Sequence, residues 1–446
     1  MQQILQKRYS HNCTAFITIY AIVGVLNGLM CDALVTYLMS VSPAAARGIA
    51  SYMGAATFAA SFLAILALRY GYKRLMLLAA VCMTASLAAI SFLRNSWLIS
   101  MALLLLMTGT TLFDVMLAPF LAAYSDNVKR TSIFTRASFF GVVGLILGTS
   151  LGGPLIVWIF SMKLNISYYS AMVLTKNTGA LSLEQQLCYI GSNRAVIMVF
   201  AVISILVLIP VILVKEAPAD HKNEAAAKPS GSSGIWGLLN KYVLVFLAYA
   251  VIARFGAVLI APQVSVYLTK IGINRASISL LSTLQYIAIL VFMAFSPRLV
   301  ARLGQVRAIV ALCIASIPFM LILANGNSYG NGAEFIIGTA LFFRAGLSNA
   351  ATPAVNSLTM DLVPKSYRPL YASLVFIMQS IAQIFAGIFA GYFLYRTANG
   401  YAYAYYYAAV LYVAAHMLLL IFFRKKYNLL PEAKAGSIAE NSQSAV

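Results

Sequence analysis

Apolar runs of roughly 20 residues recur along the whole chain, each long enough to cross the hydrocarbon core of a bilayer as a helix. In lipid every backbone N–H and C=O must be bonded within its own span, so such runs fold as helices. A transmembrane barrel would show short alternating segments instead. Charge is correspondingly scarce: 9% of the 446 residues are Asp, Glu, Lys or Arg, against about 25% in a soluble domain. The expected fold is an all-α polytopic membrane protein of twelve spans, at 14–39, 49–68, 75–93, 97–123, 132–160, 194–214, 242–268, 277–297, 306–324, 333–357, 370–395 and 403–423. Lys7, Arg8 and His11 precede an apolar stretch too long for a cleaved signal, which reads as the first retained span.

The basic residues set the sides. With both termini cytoplasmic, 21 of the 31 Lys and Arg fall in or beside cytoplasmic segments and eight fall outside, Arg275 and Lys270 among the latter. That asymmetry is what the positive-inside rule requires of an inner or plasma membrane protein. The net charge of +20 is thus a topology signal with some attraction to anionic lipid, and no nucleic-acid partner is expected. Residues 215–241 include KEAPADHKNEAAAKPSGSSG, whose Pro, Gly, Ser and mixed charge predict a flexible cytoplasmic linker. It separates two six-helix bundles, 1–214 and 242–426, followed by a disordered tail at 427–446. The 162–193 segment is the one sizeable external loop.

Chemistry-bearing motifs are few. The five cysteines are dispersed, only Cys188 falling in a predicted loop, so neither a disulfide framework nor a metal site is expected. No phosphate-binding loop, H-E-x-x-H or G-x-S-x-G occurs. An enzyme or a cofactor is therefore not expected, and any work the chain does must draw on a solute or ion gradient.

The halves repeat. Arg69-Tyr-Gly71-Tyr-Lys-Arg74 follows span 2, and Arg302-Leu-Gly304-Gln-Val-Arg307 follows span 8, at an offset of 233 residues. Pro119 matches Pro353, Asp126 with Arg130 resembles Asp361 with Arg368, and Gly148 and Gly152 match Gly387 and Gly391. Twelve spans, a central cytoplasmic linker and a repeated basic loop resemble the major facilitator superfamily. The first loop is similar to that family's G-x-x-x-D-R-x-G-R-K signature at Arg69, Gly71 and Lys73, with Leu68 where the family has Asp. The resemblance implies two pseudo-symmetric bundles and gating roles for Arg69, Gly71, Lys73, Arg302, Gly304 and Arg307. Gly144, Gly148 and Gly152 in span 5 have the spacing of a helix-packing seam. They also resemble, in a different order, the glycine-and-proline motif of the family's antiporters, which tilts the expectation toward efflux.

Four charges stand inside spans: Asp32 in span 1, Asp114 in span 4, Arg254 in span 7 and Arg344 in span 10. The resemblance implies that these four helices line a central wet cavity. Ionisable residues within a membrane mark substrate and proton pathways by default, so these four are the candidates for substrate binding and proton coupling, with Asp–Arg pairing between them. Thr36, Thr110, Thr111, Gln263, Asn349, Asn356, Gln379 and Gln383 are candidate polar lining. His416 in span 12 falls outside that cavity. The expected function is secondary transport of a small anionic, zwitterionic or amphipathic solute by a monomer coupled to protons, with efflux favoured. Import of an amino-acid-, peptide- or siderophore-like solute and a non-transporting membrane scaffold are the alternatives.

Overall fold

The computed structural model describes residues 2–124, 130–216, 240–330, 333–363 and 368–428. Asp126, most of the expected linker and nearly all of the expected tail lie outside the described residues. Among those described there are helices and turns and no strands.

Twelve helical spans follow one another. They are α1 (2–41), α2 (Ile49–Tyr70), α3 (Tyr72–Phe92), α4 (Ser96–Ala123), α5 (Arg130–Leu164) and α6 (Leu183–Leu213), then α7 (Lys241–Lys270), α8 (Arg275–Leu303), α9 (Gln305–Ala324), α10 (333–361), α11 (368–394) and α12 (Gly400–Tyr427). Ten of these are long and apolar enough to cross a bilayer. The span positions agree with the sequence to within about six residues except at α1, whose helix begins twelve residues before the expected Thr14, and at α6, which begins eleven residues before the expected Arg194. A reciprocal capping box starts it early: Gln185 N–H donates to the Ser182 hydroxyl, and Ser182 N–H donates to the Gln185 side chain. Glu184, Gln185 and Gln186 depress the hydropathy there, so the apolar pattern shows where lipid begins and not where the helix does. Cys188 is therefore helical. The segment before it holds a short helix, Tyr168–Leu174, and a 3-10 turn, Thr175–Ala180.

Local chemistry places the other boundaries. The Asn95 and Asn240 side chains accept backbone N–H groups at the starts of α4 and α7. Gly71 (φ +91°) and Gly304 (φ +79°) turn the chain between α2 and α3 and between α8 and α9, in a region that side chains rarely tolerate. The two glycines of the repeated loop thus have one conformational reason.

The chain forms two compact units. The first takes in Met1–Lys228, Ala261–Thr283 and Gln383–Thr397; the second takes in Pro229–Ile260, Leu284–Ala382 and Ala398–Val446. Besides α1–α6, the first unit contains the C-terminal end of α7, the start of α8 and the end of α11. Its spine is the packing of α1 on α5. A Cβ on Gly144 or Gly148 would collide with the carbonyl oxygens of Ala21 or Val25, and Gly28 meets the same stretch of α5. The glycine spacing is accounted for by this close approach.

Candidate functional site

Asp32 lies one helical step beyond Gly28 on the face that packs against α5. The backbone widens there into a π-helical turn, Met30–Leu34. Such turns concentrate at functional positions because they re-aim a side chain within an otherwise regular helix. Asp32 is fully buried, and so is its partner, Arg275, the first residue of α8. Arg275 Nη1 donates to Oδ1 at 2.7 Å and Nη2 stands 2.7 Å from Oδ2, the bidentate fork that fits a carboxylate. Ser265 of α7 donates to Oδ1 at 2.7 Å, and Ser279 of α8 donates to Oδ2. Gly153 N–H in turn donates to the Ser279 hydroxyl at 2.9 Å. Each carboxylate oxygen thus faces one guanidinium nitrogen and one hydroxyl, so the desolvation of both charges is offset locally.

This arrangement corrects two expectations. Asp32 pairs with Arg275, a residue the sequence places among external loop charges, and not with Arg254 or Arg344. The deeply buried charges are also not confined to spans 1, 4, 7 and 10, since Arg275 opens span 8. A short loop, GINRAS, hid it: hydropathy assigns an arginine at a span boundary to topology.

Asp114 sits differently. It is exposed on α4 and is hydrogen-bonded by the Tyr20 hydroxyl of α1. Nothing in the sequence pairs these two residues, which are 94 positions apart.

In the second unit, Arg254 lines a cavity of about 400 Å³ between α7, α9, α10, α11 and α12. Asn349, Asn356 and Gln379 line it as expected, joined by Ser348, Thr352, Tyr412 and His416. No carboxylate is among the described lining residues. Arg344 is buried and is hydrogen-bonded to the Tyr412 hydroxyl, so its charge reaches the cavity through that phenol. His416 Nδ1 is 2.7 Å from the Tyr412 carbonyl oxygen. A carbonyl only accepts, so Nδ1 carries a proton. His416 was expected outside the cavity. Its place beside Tyr412 comes from the i, i+4 geometry of α12.

The remaining candidates are spread. Thr36 is buried and donates to the Asp32 carbonyl at 3.0 Å, and Thr110 is buried and donates to the Met107 carbonyl at 3.0 Å. Thr111 is half-buried on α4. Gln263 donates to the Ala46 carbonyl at 2.5 Å, and Gln383 is buried on α11. The bonds of Thr36, Thr110 and Gln263 are helix and packing contacts.

The repeated loops hold a second likeness absent from the motif itself. At Gly71, the N–H groups of Tyr72 and Lys73 donate to the Glu216 carboxylate at 2.7 and 2.9 Å. Lys73 Nζ donates to the carbonyls of Ile212 and Val214 at the end of α6. At Gly304, Arg307 N–H donates to Asn428 Oδ1 at 3.0 Å, and Asn428 Nδ2 donates to the Leu303 carbonyl at 3.1 Å. In each half, a polar side chain following the last helix caps the start of the third. Arg302 and Arg307 are exposed, and the Arg69 side chain lies outside the described ones.

Fold and charge placement define a polytopic helical membrane protein of twelve spans. A family model described as the Major Facilitator Superfamily matches residues 246–442. A mutant form of the nucleoside transporter NupG is similar in fold, with a TM-score of 0.69 at 13% identity, covering 94% of this chain and 100% of that one. The D-xylose-proton symporter follows with a TM-score of 0.68 at 13% identity, over 92% and 98% of the two chains. A bacterial homologue of the human lysosomal transporter Spinster, inward-facing and occupied, gives 0.67 at 14% identity, over 95% and 98%. No curated protein matches the sequence. The second half of the chain thus resembles that superfamily in sequence, and the chain as a whole shares the fold of these transporters.

Proposed function

We propose that this protein is a secondary transporter of a small organic solute carrying a carboxylate or phosphate, with both termini on the cytoplasmic face of an inner or plasma membrane. The observation that carries the reading is the second unit's cavity. It is lined by Arg254, backed by Arg344 through Tyr412, and has no carboxylate among its described lining residues. A guanidinium lining a low-dielectric cavity favours an anionic ligand. Its volume of about 400 Å³ lies in the range of small-molecule sites. Asn349, Asn356 and Gln379 supply hydrogen bonds for the neutral part of an anionic, zwitterionic or amphipathic solute.

The transport cycle follows from the Asp32 cluster. Asp32 belongs to the sequence half 1–214, while Ser265, Arg275 and Ser279 belong to 242–426. Their contacts hold one conformation, and passage to the opposite one separates the ion pair. Asp114, exposed and held by a neutral phenol, is the carboxylate suited to take and release a proton in the cycle, because all the acceptor sites of Asp32 named above are engaged. The α5 glycines are explained by packing on α1, so the direction of net flux is set by the imposed gradients.

Flux in proteoliposomes under an imposed pH gradient tests the reading. Organic anions should move in a way that depends on Arg254 and responds to the gradient through Asp114. Flux of neutral solutes alone, or unaltered anion flux in Arg254→Gln, would refute it.

A further inference from the structure

The second unit ends in a basic cluster that the transport reading does not use. Lys241 opens α7, Arg302 is in the last turn of α8, Arg307 lies in the first turn of α9, and Arg424, Lys425 and Lys426 are in the last turn of α12. We propose that this end of the unit binds the headgroup of an anionic phospholipid.

Direct contacts make one surface of these helix ends. Lys426 Nζ lies 4.5 Å from the centre of the Tyr242 ring, and Lys241 Nζ lies 5.4 Å from that of Phe422. The helices α7 and α12 thus each set an ammonium over an aromatic ring of the other. Asn428, two residues beyond Lys426, bonds Arg307 N–H and the Leu303 carbonyl, which ties the end of α12 to the turn between α8 and α9. All six basic side chains are exposed, and among the described residues none of them forms an ion pair. Asp361, which closes α10, pairs with none of the six. A ring face holds an ammonium in place and leaves its N–H groups to an anion.

The repeat supplies the contrast. At the corresponding end of the first unit, Lys73 gives its ammonium to the Ile212 and Val214 carbonyls, and Glu216 brings a carboxylate to the turn between α2 and α3. The second unit has the neutral Asn428 in that place and keeps its ammonium groups for an outside partner. Positive charge required by topology serves both halves alike, whereas this concentration belongs to one.

The surface below the charges suits acyl chains. Leu244 lies one turn from Lys241, and Ile421 and Met417 lie one and two turns from Lys425, each on the same helix face as its cation. These three apolar side chains are 51%, 71% and 41% exposed. Tyr242 and Tyr427 stand at the level of the cations, where aromatic side chains mark the headgroup region of a bilayer. Cations at the tip of an exposed apolar strip match a phosphate ester joined to hydrocarbon.

The test uses the purified full-length protein in detergent, titrated with phosphatidylglycerol or with zwitterionic phosphatidylcholine, and bound lipid is read by native mass spectrometry. Phosphatidylglycerol should bind more tightly. Lys241→Gln and Lys426→Gln should each weaken it about fivefold, the loss of one charge near the membrane surface. The double variant Arg302→Gln with Arg307→Gln leaves the α7–α12 ring contacts intact and serves if the lysine variants fold poorly. Arg74→Gln, the position of the first repeat that matches Arg307, should leave the affinity unchanged. Glycerol phosphate, the headgroup anion without acyl chains, should not compete at a concentration equal to that of the lipid. Equal affinity for the two lipids, an undiminished preference in both sets of variants, an equal loss in Arg74→Gln, or competition by glycerol phosphate would overturn the proposal.

Discussion

Asp32 with Arg275 and Arg254 with Arg344 are both sets of intramembrane charge, and the protein treats them in opposite ways. In the first, every hydrogen-bonding atom of the carboxylate has a partner, and both charges are fully buried. In the second, Arg254 lines a cavity with no carboxylate among its described lining residues, and Arg344 bonds the Tyr412 phenol at its wall. A matched ion pair is a structural device whose worth lies in being made or broken whole. A guanidinium that lines a cavity sets up a potential there that favours an anionic ligand. The number of buried charges alone does not separate the two, whereas their partners do.

That difference predicts unequal responses to mutation. Asp32→Asn should be the most damaging change, because it leaves the Arg275 guanidinium buried without its counter-charge. The expected cost is about 3–5 kcal/mol of stability, read as a large fall in the thermal unfolding midpoint. The double variant Asp32→Leu with Arg275→Met removes both charges and should recover most of that loss. If it does not, the cluster contributes more than charge matching. Arg254→Gln should do the reverse, leaving the midpoint nearly unchanged. It should weaken binding of a transported anion by about 10- to 100-fold, corresponding to about 1.5–3 kcal/mol for a hydrogen bond to a charged group. A large fall in the midpoint instead would make Arg254 a packing residue and collapse the contrast. Tyr412→Phe lies between these cases. It removes the phenol that bonds Arg344 and should cost about 1.5 kcal/mol, divided between stability and anion affinity in the same titrations.

The sequence made the spans and their number legible because lipid imposes one strong rule, that backbone groups be satisfied within each apolar run. The same rule obscured much of the site. Arg275 borders a loop and looked like a topological charge, and Tyr412 was lost among neighbouring tyrosines. Gln185 and Glu184 looked like loop residues because polarity, and not helix-forming power, was what the pattern registered. Arg254, Asn349, Asn356 and Gln379 were legible as polar interruptions of apolar helices, and one cavity gathers all four. Which carboxylate meets which cation depends on contacts between residues as far apart as Asp32 and Arg275. A periodicity read along one strand of sequence carries no information about such pairs.

The smallest expected effect bears on the repeat itself. Glu216 and Asn428 occupy the same structural position in the two halves, each capping the helix that follows a positive-φ glycine. Their chemistry differs. Glu216 brings a full negative charge to two backbone N–H groups at the start of α3, where the helix dipole favours an anion. Asn428 accepts one N–H at the start of α9 and donates to the Leu303 carbonyl, without charge. Glu216→Ala should therefore cost about 1 kcal/mol and Asn428→Ala about 0.5 kcal/mol, both within the usual range for a lost cap. Raising the salt concentration should narrow the gap, because it screens only the charged member. Glu216→Gln separates charge from geometry: it keeps the side-chain length and an acceptor, so its loss should fall between the two alanine variants. Equal, salt-independent losses at the two positions would mean that the caps hold the chain by shape alone, and that the carboxylate at Glu216 adds nothing through the field of α3.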